Sequence, residues 1–211
     1  MTESAAAPVR TLLRRLPKQD RSRGRVDEIL NVAMRLIGEK GIDAVTMKEV
    51  ARLSGGPIAS VYQYFPNKSA IIATLYERYN QQVAFLVGEA MAGLDNLDRL
   101  HRGIDLLLDR YYAMMKENPA LLDLVNAVHA DKALQHEDIE QTERVVDAFY
   151  DASHHLVPRD SHAQYRRTLF LLFQLASATV RMALAMQPDD GAAMVREFAG
   201  VVHLQLERMT A

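Results

Sequence analysis

Residues 46–65 read TMKEVARLSGGPIASVYQYF and predict two short helices joined by a glycine turn. Thr46 and Glu49 have the spacing of a capping box, in which each side chain satisfies a free backbone N–H of the first helical turn. The two glycines end the first helix because glycine adopts positive φ at no steric cost. Pro57 suits the first turn of the next helix, where its missing N–H would have no partner anyway. Helix, tight turn and helix form the skeleton that places its second helix in a DNA major groove.

The flanking residues decide between this motif and an ordinary helical hairpin in an all-α core. Residues 25–79 closely resemble the DNA-binding domain of the TetR family of one-component regulators, with many positions in the same order and spacing. The shared positions are the Ile29-Leu30-x-x-Ala33 run of a first helix, Gly41, Thr46, Val50-Ala51, Gly55, the Tyr62-x-Tyr64-Phe65 run and Lys68. Beyond about residue 80 no motif is shared, as the divergent ligand domains of that family lead us to expect.

The resemblance implies a recognition helix over about residues 57–64 and eight positions that contact DNA. They are Thr46, Ile58, Ala59, Ser60, Tyr62, Gln63, Tyr64 and Lys68. The two tyrosines would present hydroxyls to phosphates, or else be half-buried core aromatics with solvated hydroxyls. The glutamine and the serine would reach base edges, and a bidentate glutamine–adenine pair discriminates by about 1–3 kcal/mol. The isoleucine and the alanine offer apolar contact to a thymine methyl, while the lysine and the threonine cap region clamp the backbone.

The charge of the chain is divided unevenly. Residues 1–68 carry 12 Lys and Arg against 7 Asp and Glu, a net charge of +5, whereas residues 69–211 carry 13 against 20, a net charge of −7. A basic N-terminal third on an acidic remainder is the electrostatic footprint of a nucleic-acid-binding module. Arg21, Arg23 and Arg25 either reach a flanking phosphate or minor groove, or form a solvated charged arm.

Helical periodicity without alternating β-branched segments predicts an all-α fold of about nine helices. Residues 1–20, with two prolines and scattered arginines, are expected to be a disordered basic arm. Three helices within residues 21–66 form the helix-turn-helix DNA-binding domain. Residues 67–211 form a larger helical ligand-binding and dimerisation domain, and the helix at its start is expected to be the one connection between the two.

The resemblance further implies a homodimer that forms through the last two helices, and an internal pocket for a small-molecule effector. Residues 168–180 are apolar almost all round in helical projection, so this helix must be buried on several sides. One of its stripes contains small residues that allow the close helix approach of a dimer seam: Leu169, Leu172, Ala176, Val180 and Ala183.

Six residues are candidates for a mainly apolar effector pocket: Tyr111, Met115, Phe170, Phe173, Gln174 and Arg181. Aromatic and methionine side chains line adaptable pockets, although core packing explains the same residues. The arginine lies in an apolar run and therefore needs a partner. That partner is either a carboxylate on a facing helix or a carboxylate of the ligand, and both interpretations remain open.

The other sequence patterns exclude several classes of function. The chain has no cysteine, which rules out disulfides, thiol chemistry and Cys-ligated zinc. It has no phosphate loop, nucleophile elbow or metalloprotease motif, and His154, His155 and His162 lack standard metal-ligand spacing, so no cofactor is expected. Since it has no signal peptide and no apolar run of ~18 residues, we expect a cytoplasmic protein that makes no membrane contact.

Together these patterns predict a ligand-responsive transcriptional regulator. We expect a repressor that leaves a palindromic double-stranded DNA operator when a small, mainly apolar molecule binds. A helical adaptor that binds only protein, or an all-α enzyme, would show the same helical periodicity. Both alternatives predict no operator binding, so a gel shift on the promoter nearest the gene separates them from the repressor.

Overall fold

The computed structural model describes residues 20–132 and 134–210, so residues 1–19 of the predicted basic arm lie outside the described residues. Within the described ranges the chain forms nine α-helices and no strand, which confirms the all-α class. The helices are α1 (Asp20–Lys40), α2 (Met47–Leu53), α3 (Ile58–Tyr62), α4 (Lys68–Ala90), α5 (Leu97–Glu117), α6 (Pro119–Ala130), α7 (Gln135–Ser153), α8 (His162–Leu184) and α9 (Pro188–Thr210).

Side chains cap two helices, and the cap at Thr46 confirms the prediction. Thr46 Oγ1 accepts the N–H of Glu49 at 3.1 Å, and Asn67 Oδ1 accepts the N–H of Ala70 at 2.9 Å. The second half of the predicted capping box differs, because the Glu49 carboxylate binds the Arg52 guanidinium at 2.7 and 2.9 Å instead. That hydrogen-bonded guanidinium lowers the pKa of the Glu49 carboxyl, but the exposed pair contributes little to stability.

The helices form two compact units. The first comprises the described residues up to Tyr79 and those within Pro119–Glu137, and the second comprises Asn80–Asn118 and the described residues from Asp138 to Thr210. The compact unit therefore extends past the domain boundary suggested at residue 66 and includes α6. The chain passes between the units within α4, before α6 and within α7, so α4 is not the one connection that the sequence suggested.

The first unit is built on an apolar stripe of α1 at helical spacing, which includes the Ile29-Leu30-x-x-Ala33 run. Its members Val26, Ile29, Leu30, Ala33 and Ile37 are all buried. Helix α6 joins this unit because it also has an apolar face, formed by Leu121, Leu124, Val125 and Val128, and packs against α1. The two helices approach closely where α1 carries Gly38, since a Cβ placed there would lie only 3.0 Å from the Cβ of Ala120.

The second unit packs α5, α8 and α9 together, and this packing corrects the predicted dimer seam. Leu169, Leu172, Val180 and Ala183 are buried inside the protomer, where α5 and α9 cover them. The opposite side of α8 is uncovered, and large apolar side chains are also exposed on α9 and in the short connection between the two helices. We call this surface the α8–α9 apolar face, and its exposed members are Leu171, Leu175, Met182, Met186, Val201 and Leu204.

Candidate nucleic-acid interface and effector cavity

One face of α3 is the centre of the candidate nucleic-acid interface. Ile58, Ala59, Tyr62 and Gln63 are exposed, and their spacing places them on one side of the helix. Val61 points the other way and is fully buried, which anchors α3 to the first unit. Ile58 and Tyr62 are large apolar side chains that remain 43% and 38% exposed. Large apolar groups left in water beside polar ones are typical of a binding surface.

Helix α3 is shorter than the predicted recognition helix. Pro57 precedes it as an extended residue, with φ −64° and ψ 147°, and supplies no side-chain cap. Gln63 is the residue after its last turn, and its N–H donates to the Ala59 carbonyl at 3.1 Å. Tyr64 lies just beyond and is half-buried. Gln63 therefore lies at the C-terminal end of α3, while Tyr64 is partly packed against the protein.

Thr46 and Lys68, the two predicted backbone clamps, both keep a donor for a phosphate. Thr46 is exposed, and its oxygen acts as the acceptor in the α2 cap, so its hydroxyl hydrogen can still be donated. Lys68 Nζ lies 4.0 Å from the carboxylate of Asp43, which is fully exposed. Because this ion pair is long and exposed, it is weak and leaves the lysine able to contact a phosphate.

Arg25 does not extend from the protein as a charged arm. Its guanidinium donates to the Ser54 carbonyl, to Ser54 Oγ at 3.2 Å and to Ser60 Oγ at 3.0 Å. Its side chain is 19% exposed and pairs with Glu28 at 2.6 Å. The structure therefore matches neither of the two alternatives given for Arg25, a flanking DNA contact or a solvated charged arm, because its donors are used within the first unit. Arg23, two residues earlier, is exposed.

Ser60 has structural partners in addition to its predicted contact with a base. Its hydroxyl donates to the Pro57 carbonyl at 2.7 Å while its oxygen accepts from Arg25. With its one donor hydrogen in use, the serine can offer a base edge only an acceptor.

An apolar cavity of about 40 Å³ lies in the second unit, between α5, α7, α8 and α9. Only alanine, aliphatic and phenylalanine side chains line it: Ile104, Leu107, Leu108, Phe149, Leu169, Leu172, Phe173, Ala176, Phe198, Val202 and Leu206. A single water needs about 10–15 Å³ of such space, so the cavity holds only a few water-sized groups. A ligand larger than this space would have to displace some of the lining side chains.

The cavity includes one of the six predicted pocket residues. Phe173 lines it and meets Phe149 edge to face, with 5.7 Å between the ring centroids. Tyr111 and Met115 are buried, Phe170 is half-buried, and none of these three belongs to the lining.

The two polar candidates bind neighbouring side chains. Gln174 Nε2 donates to Thr142 Oγ1 at 3.2 Å, and Arg181 Nη1 donates to Ser177 Oγ at 2.9 Å. Within the described residues Arg181 has no carboxylate within ion-pair distance, so the structural salt bridge considered from the sequence is not formed inside the protomer. The guanidinium is half-buried and donates instead to a hydroxyl one helical turn earlier.

Two stacked histidines join α5 and α9. The rings of His101 and His203 lie 4.4 Å apart and are nearly parallel. His203 Nε2 is 3.0 Å from Asp105, and His101 Nε2 is 3.7 Å from Glu207, so each nitrogen faces a different carboxylate. Over residues 20–132 and 134–210 no group of three metal-ligating side chains is placed to hold an ion, here or elsewhere.

Comparison with known families decides the identity of the chain. The model described as "Bacterial regulatory proteins, tetR family" matches residues 29–75, which include the helix-turn-helix. The model described as "Tetracyclin repressor-like, C-terminal domain" matches residues 98–210, more than half of the chain. The chain belongs to the TetR family. It is therefore a DNA-binding transcriptional regulator and not an enzyme.

Two curated TetR-type regulators are similar in sequence. The uncharacterized HTH-type transcriptional regulator YvdT of Bacillus subtilis is 22% identical over 135 residues, which are 64% of this chain and 65% of YvdT. The HTH-type transcriptional repressor KstR of Mycobacterium tuberculosis is 26% identical over 131 residues, which are 61% of this chain and 57% of KstR. Each match spans less than two thirds of the relative's length.

Solved structures of the TetR family share the fold. A TetR-family transcriptional regulator from Streptomyces coelicolor superposes with a TM-score of 0.68 at 24% identity, covering 89% of this chain and 98% of that one. One from Rhodococcus sp. RHA1 has a TM-score of 0.61 at 20% identity, covering 86% and 97%. None of the described helices combines the length and the apolar character needed to cross a bilayer.

Proposed function

We propose that this TetR-family regulator is a homodimeric repressor, released from a palindromic operator when a small, uncharged, apolar molecule binds. The exposed face of α3 carries this proposal, because it presents a glutamine, a tyrosine and two apolar residues on a short helix whose Val61 is buried. Such a face can read base edges and thymine methyls in a major groove. A repressor of this kind would act in the cytoplasm, where bacterial DNA lies.

The proposed contacts divide into base readers and backbone clamps. Ile58, Ala59 and Gln63 face bases, with the serine beside them limited to accepting a hydrogen bond. Tyr62 and Tyr64 offer hydroxyls to phosphates, and Thr46 and Lys68 clamp the backbone on either side. Base contacts set the sequence preference, whereas phosphate contacts set orientation and salt dependence.

This division predicts different losses for Gln63→Ala and Lys68→Ala. Gln63→Ala is expected to cost about 1–3 kcal/mol on the cognate operator and to relax the preference at one base position. Lys68→Ala is expected to weaken binding almost evenly on all sequences and to flatten the slope of log K against log salt by about 0.9. Fluorescence anisotropy on cognate and scrambled duplexes at several salt concentrations measures both. Equal losses for the two variants on both duplexes would contradict the division.

The α8–α9 apolar face supports dimerisation through the last two helices. Six exposed large apolar side chains, five on α8 and α9 and Met186 between the two helices, are costly to leave in water, and a second copy of the same face can cover them. Two-fold pairing of this kind is isologous, so it closes after two subunits. It also gives the two recognition helices the symmetry that a palindromic operator requires.

The cavity of the second unit supports an apolar effector. Its lining offers no hydrogen-bonding or charged side chain, so burying an ionised group there would be costly. Since the space is small, we propose that a larger ligand enters by pushing α5, α7, α8 and α9 apart. Helix α6 lies between α5 and α7 along the chain and packs against α1 of the DNA-binding unit. Ligand entry would therefore favour a state with α6 and α1 displaced and the operator released, a shift of population between two states.

A further inference from the structure

The recognition helix of this protein has few local features that would stabilise it on its own. α3 has only five residues, whereas isolated helices shorter than ~12–15 residues are marginal in water. Pro57 at its start provides no side-chain cap. Its buried anchors are Val61 within the helix and Phe65 three residues after its end. The structure must therefore fix the N-terminal part of α3 by another contact.

Arg25 of α1 supplies that contact. Its guanidinium binds the Ser54 carbonyl and hydroxyl at the end of α2 and the Ser60 hydroxyl within α3. One side chain thus connects three helices at the turn of the motif. Glu28, one turn along α1, forms an ion pair with the guanidinium at 2.6 Å. Only an arginine can serve this many acceptors, because its planar head carries five donors in a fixed fork.

The turn leaves space for this guanidinium. A Cβ on Gly56 would lie 2.5 Å from Arg25 Nη2 and 3.0 Å from Ser60 Oγ. Gly55 is the glycine with positive φ, at 69°, so Gly56 is not required by its backbone conformation. The absence of a side chain at position 56 is explained by the passage of Arg25 over it. We call Arg25, Ser54, Gly56 and Ser60 the Arg25 cluster.

We propose that Arg25 is a positioning residue for operator recognition, which sets the angle of α3 through the Arg25 cluster instead of contacting a phosphate. The inference rests on the proposed use of α3 as the recognition helix. It differs from the role that the sequence suggested, in which Arg25 adds positive charge to a flanking arm. A substitution that keeps the positive charge but removes the planar guanidinium group distinguishes the two roles.

Two variants of the full-length protein test the proposal, with a third as matched control. Arg25→Lys keeps the charge but cannot serve the same acceptors. Gly56→Ala keeps Arg25 intact and displaces its guanidinium. Arg23→Ala removes an exposed arginine from the same helix and leaves the cluster alone. Hydrogen exchange of the free protein over residues 54–65 is followed by mass spectrometry, and operator binding is titrated at several salt concentrations.

Both Arg25→Lys and Gly56→Ala are expected to speed exchange in residues 54–65, with the exchange of α5 unchanged. Both should weaken operator binding about tenfold or more, the loss expected for one charge-assisted hydrogen-bonding group. The salt slope should keep its wild-type value, because no phosphate contact is lost. Arg23→Ala should leave the exchange of residues 54–65 unchanged.

Other outcomes overturn the proposal. Wild-type exchange and affinity in Arg25→Lys, with a salt slope flattened by about 0.9 in a fourth variant, Arg25→Ala, would make Arg25 a phosphate contact. Wild-type exchange in both Arg25→Lys and Gly56→Ala would mean that the cluster does not hold α3. The exchange measurement needs no DNA, so it tests the cluster even if the wild-type protein bound no operator, an outcome that would instead refute the proposed function.

Discussion

Leu175→Glu is expected to convert the protein into a folded monomer that no longer binds its operator. Leu175 lies in the middle of the α8–α9 apolar face and is 43% exposed in the protomer. A glutamate there is solvated in the monomer but would be buried without a partner between two copies of the face. A monomer presents one recognition helix, so it also loses the second half-site of a palindrome.

The neighbouring residue provides a contrasting variant. Ala176 lines the apolar cavity, about 100° around the helix from Leu175. Ala176→Glu therefore buries a carboxylate inside the protomer and is expected to lower the free energy of unfolding by several kcal/mol, roughly the 3–5 kcal/mol of an unpaired buried charge. Ala113→Glu adds the same charge on the exposed side of α5, where we expect neither dissociation of the dimer nor a loss of stability.

Light scattering and thermal melting by circular dichroism distinguish the three variants. We expect Leu175→Glu to be a monomer that still shows a thermal unfolding transition. Ala176→Glu should have a lowered melting temperature, and Ala113→Glu should be a dimer like the wild-type protein. A Leu175→Glu dimer that binds the operator normally would show that the α8–α9 apolar face is not the subunit interface.

Toluene is expected to stabilise the wild-type protein against heat, whereas benzoate, which has the same ring and a charged end, is not. The cavity lining has no group that could pair with a carboxylate. At about ten times its Kd a ligand contributes ~1.4 kcal/mol, which raises Tm by about 3–6 °C in a chain of this size. Ala176→Phe fills the cavity and should abolish the effect of toluene, at an overpacking cost of about 1–3 kcal/mol.

Two further variants sharpen the ligand experiment. Ala148→Phe places the same ring on the exposed side of α7 and should keep the response to toluene. Arg181→Met tests the carboxylate interpretation, since Arg181 binds Ser177 and strands no carboxylate when removed. Stabilisation by benzoate that disappears in Arg181→Met would contradict an uncharged effector. A toluene response that survives Ala176→Phe would show that the cavity is not the ligand site.

The parts of the fold that depend on local sequence could be predicted. The all-α class, the count of about nine helices and the threonine cap follow from periodicity and from hydrogen-bonding residues a few positions apart. The family resemblance added the helix-turn-helix, because its positions form a continuous pattern. In these elements the residues that determine the structure are close in the sequence.

Features that depend on tertiary packing could not be predicted. Residues 168–180 are apolar on nearly every side, so periodicity alone does not say which side meets α9 and which stays uncovered. Helix α6 looks like any amphipathic helix, and only its packing on α1 assigns it to the first unit. The cavity lining comes from four helices, and an alanine such as Ala176 gives no sequence signal of a ligand site.

Arg25 illustrates the same limit within the predicted motif. Its sequence context, three arginines in five residues, favours a charged arm. Its partners Ser54 and Ser60 lie 29 and 35 positions away, and no local pattern connects them. Only Gly55 needs a positive φ, so a glycine at position 56 is consistent with a close contact there. A second glycine in a turn is nevertheless too common to predict that contact from the sequence.

Operator selection from random-sequence DNA by the full-length protein is the most direct test of the central claim that α3 reads a palindrome as part of a dimer. The account predicts recovered sites with two inverted half-sites whose centres lie about 34–36 Å apart, or a multiple of that distance, and a base preference in each half-site that Gln63→Ala relaxes. Recovery of no enriched sequence, or of sites without two-fold symmetry that Gln63→Ala selects equally well, would contradict it.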